Sequence, residues 1–240
     1  MVKISERLRT AAGLIGEGER LADVGTDHGY VPIYLVERKR IPSAIAMDIR
    51  TGPLERAREH IRMYGMEDYI QTRLSDGVAA LKPGEADAIL IAGMGGGLVI
   101  HILESGRVIC EQAHGLVLQP QSELPKVRRF LMENGYVTER EEMVMEDGKY
   151  YPMMRVHFDA SAVSHADSFT EEQELEFRYG KQLLTEKHPV LLAYLRWEAQ
   201  IQQDILTQLS GQPATEQIAA RIDAVKQILA QNARALAYYE

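Results

Sequence analysis

The residues with the clearest chemical potential form one segment near the N-terminus, Asp23-Val24-Gly25-Thr26-Asp27-His28-Gly29-Tyr30. The segment follows a short apolar run, and Gly25 permits a tight turn with close backbone approach to a ligand. Asp27 stands where the dinucleotide fingerprint G-x-G-x-x-G has its second glycine, and its carboxylate would repel a pyrophosphate. The segment therefore favours a cationic ligand without phosphates over NAD or FAD. A strand–helix turn with incidental acids is the alternative.

Acidic residues also follow two later apolar runs. Asp48, followed by Ile49, ends the run 44–49, where an acid can accept hydrogen bonds from both ribose hydroxyls of an adenosyl group. Asp76-Gly77 follows the next run, where the acid could accept the exocyclic amine of adenine or simply cap a helix. S-adenosylmethionine carries a sulfonium and an amino group and no phosphate, so it suits these carboxylates. The residues expected to contact it are Asp23, Gly25, His28, Asp48, Ile49, Asp76, Gly77, Ala92, Gly93 and Met94.

A glycine cluster at 92–97 follows the fourth apolar run, and Gln119-Pro120-Gln121 follows the fifth. The cluster lacks the Lys-Ser/Thr pair of a P-loop, which disfavours nucleoside triphosphate hydrolysis. Its glycines would let the backbone lie close to the cofactor and to a flat base. Both glutamines offer a donor and an acceptor to a base edge. We therefore expect substrate contacts from Gly95, Gln119, Pro120 and Gln121.

Strand-like and helix-like segments alternate along the first two thirds of the chain. Nearly continuous apolar strands separated by helices predict a parallel sheet covered on both faces. Two β-prone runs within 136–158 are joined through Asp147-Gly148, a hairpin signal that places an antiparallel strand at the sheet edge. This order predicts an α/β fold with the Rossmann-like sheet of class I methyltransferases. Strands are expected at 21–24, 44–49, 69–74, 86–93 and 115–120, and helices at 4–15, 52–65, 97–104 and 122–135, the last capped by Ser122.

A second, helical domain is predicted at 161–240, after a methyltransferase domain at 1–160. A helix over 169–188 begins with a Thr170–Gln173 capping box. Two longer helices, joined by a turn at 211–213, repeat apolar residues at coiled-coil-like spacing and predict an antiparallel hairpin. The hairpin could contact RNA, or it could serve packing or dimerisation. Basic residues that could form a stripe on it are Lys181, Lys187, Arg196, Arg221, Lys226 and Arg234.

Composition bounds the class of protein. The 240 residues carry a net charge of −8, and no apolar run is long enough to span a membrane. The charged N-terminus does not resemble a secretory signal, and a single cysteine, Cys110, excludes an intramolecular disulfide framework and a cysteine zinc site. We expect a cytoplasmic protein that binds no metal and is a monomer. Only the N-terminal third is net positive, so Arg7 and Arg9, with Lys3 and the run Arg38-Lys39-Arg40, are where a polyanion would bind.

The motifs together resemble a known family. DVGTDHGYVP, SDGVAAL, ADAILIAGMGGGLV and LQPQ, in this order and spacing, are similar to the bacterial tRNA adenine-N1 methyltransferases that modify adenine 22. Residues 23–30 match the family pattern D-[IV]-G-[ST]-D-H-[AG]-Y throughout, whereas Gln121 stands where the family has Asn. The resemblance runs from about Ser5 to Phe158 and more loosely over the tail. It implies S-adenosylmethionine as methyl donor and tRNA as substrate.

For that reaction, Asp27 and Tyr30 are the expected catalytic residues. A carboxylate at Asp27 would stabilise the positive charge that develops on the methylated adenine, and Tyr30 would stack on it or hydrogen-bond to it. His28 either orients the cofactor carboxylate or stabilises the loop. Two alternatives remain open: a methyltransferase of another substrate class, and a non-catalytic Rossmann-like module whose hairpin docks a protein partner.

Overall fold

The structure, a computed structural model, describes residues 1–164, 166, 168–213 and 215–240. It consists of two compact units, Met1–Ser168 and Phe169–Glu240. The sequence placed this boundary after residue 160. The first unit extends further because the chain beyond the 3₁₀ turn Ala160–Ala162 still pairs with it, the Ser164 amide donating to the Met132 carbonyl at 3.3 Å.

Seven strands form one sheet in the order β3-β2-β1-β4-β5-β7-β6. The first five run parallel, and β7 is antiparallel to both of its neighbours. Asp147 and Gly148 both have positive φ, as the two-residue turn between β6 and β7 requires. The predicted methyltransferase sheet is confirmed. The strands are β1 (Leu21–Val24), β2 (Ala44–Asp48), β3 (Ile70–Leu74), β4 (Ala88–Met94), β5 (Gly115–Pro120), β6 (Tyr136–Glu146) and β7 (Lys149–Phe158).

Six helices cover the two faces of the sheet. The apolar side chains of the first three pack with one face, and those of the last three with the other, so each face has its own buried core. Cys110 lies in the second of these cores, fully buried, and burial raises the pKa of its thiol to about 12. Such a thiol is inert at neutral pH. The helices are α1 (Glu6–Gly13), α2 (Tyr30–Glu37), α3 (Thr51–Met63), α4 (Gly96–Ser105), α5 (Arg107–Gln112) and α6 (Leu124–Glu133).

Two local predictions differ from the structure. Ser122 does not cap α6: the cap position is Glu123, which has a positive φ, and the Ser122 hydroxyl instead accepts from the Gly96 amide at 3.2 Å. The Ser122 side chain therefore makes a tertiary contact with the start of α4 in place of the predicted cap of α6. The basic run Arg38-Lys39-Arg40 lies between α2 and β2, at the edge where the parallel strands begin. It is therefore at the opposite end of the sheet from the loops that follow β1, β2 and β4.

The second unit contains four helices. The Thr170–Gln173 capping box is present, but the predicted helix over 169–188 is broken at Gly180, whose φ of 94° is not helical. The two long helices of the predicted hairpin are confirmed, and no helix within the described residues is long and apolar enough to cross a membrane. The helices are α7 (Glu171–Tyr179), α8 (Lys181–Thr185), α9 (Pro189–Ser210) and α10 (Glu216–Leu236).

A buried carboxylate joins three helices of this unit. Glu198 on α9 accepts hydrogen bonds from Tyr179 at 2.7 Å, Asn232 at 2.9 Å and Arg178 at 2.9 Å. Burial by itself would raise the pKa of Glu198, but the hydrogen bonds from Asn232 and Tyr179 and the Arg178 guanidinium outweigh it and hold the pKa below its usual value. The charged form of Glu198 therefore stabilises the folded unit.

We expect Glu198→Ala to destabilise the second unit by about 3 kcal/mol, because the buried donors Tyr179 and Asn232 and the partly buried Arg178 lose this acceptor. Trp197, the one tryptophan of the chain, lies in α9 and reports unfolding of this unit in a denaturant titration followed by fluorescence. Because the pKa of Glu198 is lower in the folded protein than in the unfolded chain, the ionised carboxylate stabilises the fold at neutral pH. This stabilisation is lost as the pH falls through the carboxyl range, so the difference in unfolding free energy between wild type and variant should narrow there. Asp204→Ala, which removes only an exposed contact with Gln200, is the control. Equal losses in both variants would contradict the role of Glu198.

Candidate active site

A cleft of about 430 Å³ lies where β1, β2, β3 and β4 end. Parallel strands present their carboxyl ends at one edge, so residues distant in sequence meet there. Most of the residues predicted to bind the cofactor line this first cleft, and Asp23 and His28 are the exceptions. The lining comprises Val24, Gly25, Asp27, Asp48, Ile49, Arg50, Ser75, Asp76, Gly77, Ala92, Gly93, Met94, Leu98 and Ile102.

Two carboxylates in the first cleft have different surroundings. Asp48 is buried at the end of β2, and one of its oxygens accepts from the Arg50 amide at 2.9 Å. That hydrogen bond fixes the carboxylate and leaves its second oxygen for a ligand. Asp76 is exposed at the rim. Its turn is held by Ser75, whose hydroxyl donates to the Gly77 carbonyl at 2.9 Å and accepts from the Ala80 amide at 3.1 Å.

Asp23 lies behind the turn that contains Gly25. It is buried, and Thr26 donates to it at 2.6 Å. Burial and, to a smaller extent, the nearby Asp48 charge outweigh the Thr26 hydrogen bond and raise the pKa of Asp23 to about 6. Gly25 has a φ of 73°, and a β-carbon there would lie 2.3 Å from the Met94 methyl group. The turn therefore needs glycine.

A second cleft, of about 280 Å³, adjoins the first. The two share a wall of four residues, Gly25, Asp27, Ala92 and Gly93. A group in one cleft is therefore separated from a group in the other only by the ends of β1 and β4. The remaining residues of the second cleft are Arg7, Leu8, Asp23, Thr26, His28, Tyr30, Val31, Leu90 and Gln121.

Asp27 stands at this shared wall with a φ of 48°, a conformation that non-glycine residues seldom adopt. Its Oδ1 accepts from Arg56 Nη2 at 2.6 Å, and His28 Nε2 lies 3.4 Å from its Oδ2. The side chains of Asp27 and Arg56 are both about half exposed. The carboxylate is therefore held by contacts on both oxygens and remains accessible from both clefts.

Three rings stack beside Asp27. The centroids of His28 and Tyr30 are 5.3 Å apart, and those of Tyr30 and His60 are 4.9 Å apart, with nearly parallel planes. His60 Nδ1 lies 2.9 Å from the His28 carbonyl oxygen. Tyr30 and His28 line the second cleft, so the predicted catalytic Tyr30 lies beside Asp27. The stack agrees with the alternative in which His28 stabilises the loop.

Arg7 and Gln119 contact each other instead of lying on the surface. Gln119 is fully buried, and its Oε1 accepts from Arg7 Nη1 at 2.9 Å and from the Gly93 amide at 3.1 Å. Oε1 therefore has both acceptor positions occupied, whereas Gln119 Nε2 is buried with no hydrogen-bond partner among the described residues. Arg9, by contrast, is exposed and forms an ion pair with Glu6 on the same helix.

The other expected substrate residues lie around the end of β5. Gln121 lines the second cleft, and its amide donates to the Met94 carbonyl at 2.8 Å. Pro120 is buried in the sheet, and Gly95 precedes the first turn of α4. Among the described residues, no group of three or more His, Cys, Asp or Glu side chains is arranged to hold a metal ion.

Sequence reasoning missed three residues near the clefts. Arg50 follows β2, and Arg56 and His60 lie on α3. Arg50 lies two residues after Asp48, so the predicted position of Asp48 indicated that Arg50 would lie near the same site. Nothing in the local pattern indicated that Arg56 or His60 reaches the Asp23–Tyr30 segment, because that contact depends on how α3 packs.

Comparison with known proteins identifies the family. The model of the family described as a methyltransferase domain matches residues 4–154. The tRNA (adenine(22)-N(1))-methyltransferase of Bacillus subtilis (strain 168) is 35% identical over 236 residues, which cover 95% of this chain and 98% of that protein.

Solved structures agree. The crystal structure of the B. subtilis M1A22 tRNA methyltransferase TrmK matches with a TM-score of 0.82 and 32% identity over 98% of this chain and 99% of that one. The structure of M. capricolum TrmK in complex with S-adenosyl-homocysteine matches with a TM-score of 0.75 and 26% identity over 95% of this chain and 98% of that one. The chain therefore belongs to the tRNA (adenine(22)-N1)-methyltransferase family.

Proposed function

We propose that this protein transfers a methyl group from S-adenosylmethionine to N1 of adenine 22 in tRNA. The observation that carries the proposal is the shared wall: one cleft suits an adenosyl cofactor, the other lies directly beside it, and Asp27 faces both. The relatives named for this reaction align over nearly the whole chain. The reducing cytoplasm, a monomeric state and catalysis without metal belong to the same proposal.

The first cleft fits S-adenosylmethionine chemically. Asp27, Asp48 and Asp76 bring carboxylates to a site whose glycine turns allow close backbone approach. Asp48 is placed for the ribose hydroxyls and Asp76 for the adenine amine. When bound, S-adenosylmethionine supplies a methyl group that adenine N1 attacks, so that an N–C bond forms as the C–S bond breaks and positive charge moves from sulfur to the base.

The chain contributes positioning and electrostatics. N1 takes part in base pairing, so the target adenine must leave its stack to enter the second cleft, where Tyr30 offers a ring. The Asp27 carboxylate then faces the charge that develops on the base, and an interaction that strengthens in the transition state accelerates transfer. The second unit, whose Arg196, Arg221 and Lys226 are exposed, is proposed to contact the body of the tRNA.

Asp48→Ala should weaken S-adenosylmethionine binding by roughly 1–3 kcal/mol, because the ribose hydroxyls lose a fixed acceptor. Isothermal calorimetry with S-adenosylmethionine measures the change. Asp68→Ala removes an exposed carboxylate just before β3, at the opposite edge of the sheet, and should leave the affinity unchanged. Unchanged affinity in a folded Asp48→Ala protein would remove Asp48 from the cofactor site.

Asp27→Asn should lower single-turnover methylation of tRNA about 100-fold and leave cofactor affinity within a few-fold. Asn has nearly the shape of Asp and tolerates positive φ, so the variant removes the charge without disturbing the turn. Asp147→Asn, at a residue with a φ of 49° in the β6–β7 turn, is the matched control and should keep the wild-type rate. If Asp27→Asn turns over within a few-fold of wild type, Asp27 is structural.

Deleting residues 169–240 should spare S-adenosylmethionine binding, because the first cleft lies entirely in the first unit. Methylation of intact tRNA at physiological salt should fall, since the proposed contacts with the tRNA body are lost. Cofactor calorimetry on the truncated protein controls for folding. Full activity on tRNA would show that the tail is not part of the recognition surface.

A further inference from the structure

The peptide between Ala92 and Gly93 is fixed from one side. Its N–H, on Gly93, donates to Gln119 Oε1, and Arg7 donates to the same oxygen from α1. Gln119 is fully buried, which confines its amide to this position. Arg7 is itself restrained, because its own backbone amide donates to Glu146 at 3.2 Å and its guanidinium lies 5.4 Å from the Tyr151 ring centre.

The orientation of the neighbouring carbonyl follows from this hydrogen bond. No peptide bond in the described chain is cis, and in a trans peptide the N–H and C=O point in opposite directions. Because the Gly93 N–H points toward β5, the Ala92 carbonyl points the other way, toward the end of β1. That is the side on which Gly25 and Asp27 complete the wall shared by the two clefts.

The end of β1 does not occupy this carbonyl. The parallel register pairs Val24 with Ile91, so the next β1 donors in line with Ala92 are the amides of Gly25 and Thr26. Both of these donate instead to the Met47 carbonyl on β2, at 2.9 and 2.8 Å. The ladder between β1 and β4 therefore ends one step before Ala92, and Ala92 is only partly buried.

We propose that Arg7 and Gln119 are positioning residues which hold the Ala92 carbonyl as a hydrogen-bond acceptor for the exocyclic amine of the target adenine. The proposal rests on the proposed function and adds an acceptor to it. Methylation at N1 makes the base cationic and its amine a stronger donor, so a fixed acceptor stabilises the transition state more than the bound substrate. Arg7 then acts through Gln119 and not as a contact to the RNA backbone.

The test measures single-turnover methylation at saturating S-adenosylmethionine and tRNA, with two tRNAs that carry adenine or purine at the target position. Purine keeps the ring nitrogen and lacks the amine, so comparing the two isolates the amine in a double-mutant cycle. Arg7→Met and Gln119→Met should each slow transfer to adenine about tenfold and slow transfer to purine much less. Gln119→Glu keeps an acceptor for both donors and should stay within about threefold of wild type on adenine.

Arg62→Met, at an exposed ion pair with Glu67 at the end of α3, is the control and should change neither rate. Calorimetry with S-adenosylmethionine confirms that each variant is folded. If Arg7→Met and Gln119→Met slowed transfer to adenine and to purine by the same factor, the positioning role would be overturned and the proposed function would stand. So would an Arg7→Met protein with a wild-type saturating rate but weaker tRNA affinity and a flatter salt dependence, since that result would make Arg7 a phosphate contact. A wild-type protein that methylates no adenine would overturn the proposed function and this inference with it.

Discussion

Strands β1 and β4 are neighbours in the sheet, and this adjacency determines where the two clefts of the first unit lie. The chain crosses from β1 outward to β2 and β3, then returns to place β4 on the other side of β1 and continues to β5. The connections after β1 and β4 therefore leave in opposite directions, and a crevice opens between them at the carboxyl edge. Both clefts lie at this crevice, and the residues they share are those at which the two strands end. A fold with β1 and β4 apart would separate the two clefts.

The electrostatics of the crevice follow from the same geometry. Strands β1, β2 and β3 each end in or near an acid, so the first cleft is rich in carboxylates although a polyanion is the proposed substrate. Arginines from helices lie beside these carboxylates: Arg56 pairs with Asp27, and Arg7 lines the second cleft. Asp27 also holds a backbone conformation that costs free energy, which is typical of residues kept for function.

Much of this could be predicted from the sequence. Apolar strand runs, the Asp147-Gly148 turn and the acids at β1 and β2 are local signals; each strand and the hairpin were confirmed, and most residues expected to bind the cofactor line one cleft. The failures arose where a tertiary contact replaced a local one. Ser122 pairs with Gly96 across two loops, and Gly180 breaks a helix that its capping box began correctly. The contact between Gln119 Oε1 and Arg7 could not be predicted either, because Arg7 lies more than a hundred residues earlier in the chain.

The contacts of the N-terminal helix have a consequence for the order of synthesis. Helix α1 is synthesised before the strands of this unit, yet Arg7 on it contacts Glu146 on β6 and Tyr151 on β7. The loop that follows the helix is held by Arg155 on β7. The part of the docking site of α1 that β6 and β7 form is therefore missing until almost the whole first unit has emerged. Since domains fold as units during translation, the second cleft is completed late, while Phe169–Glu240 is still being made. A nascent chain that carries a finished cofactor cleft would then still lack the side of the second cleft that Arg7 and Leu8 form.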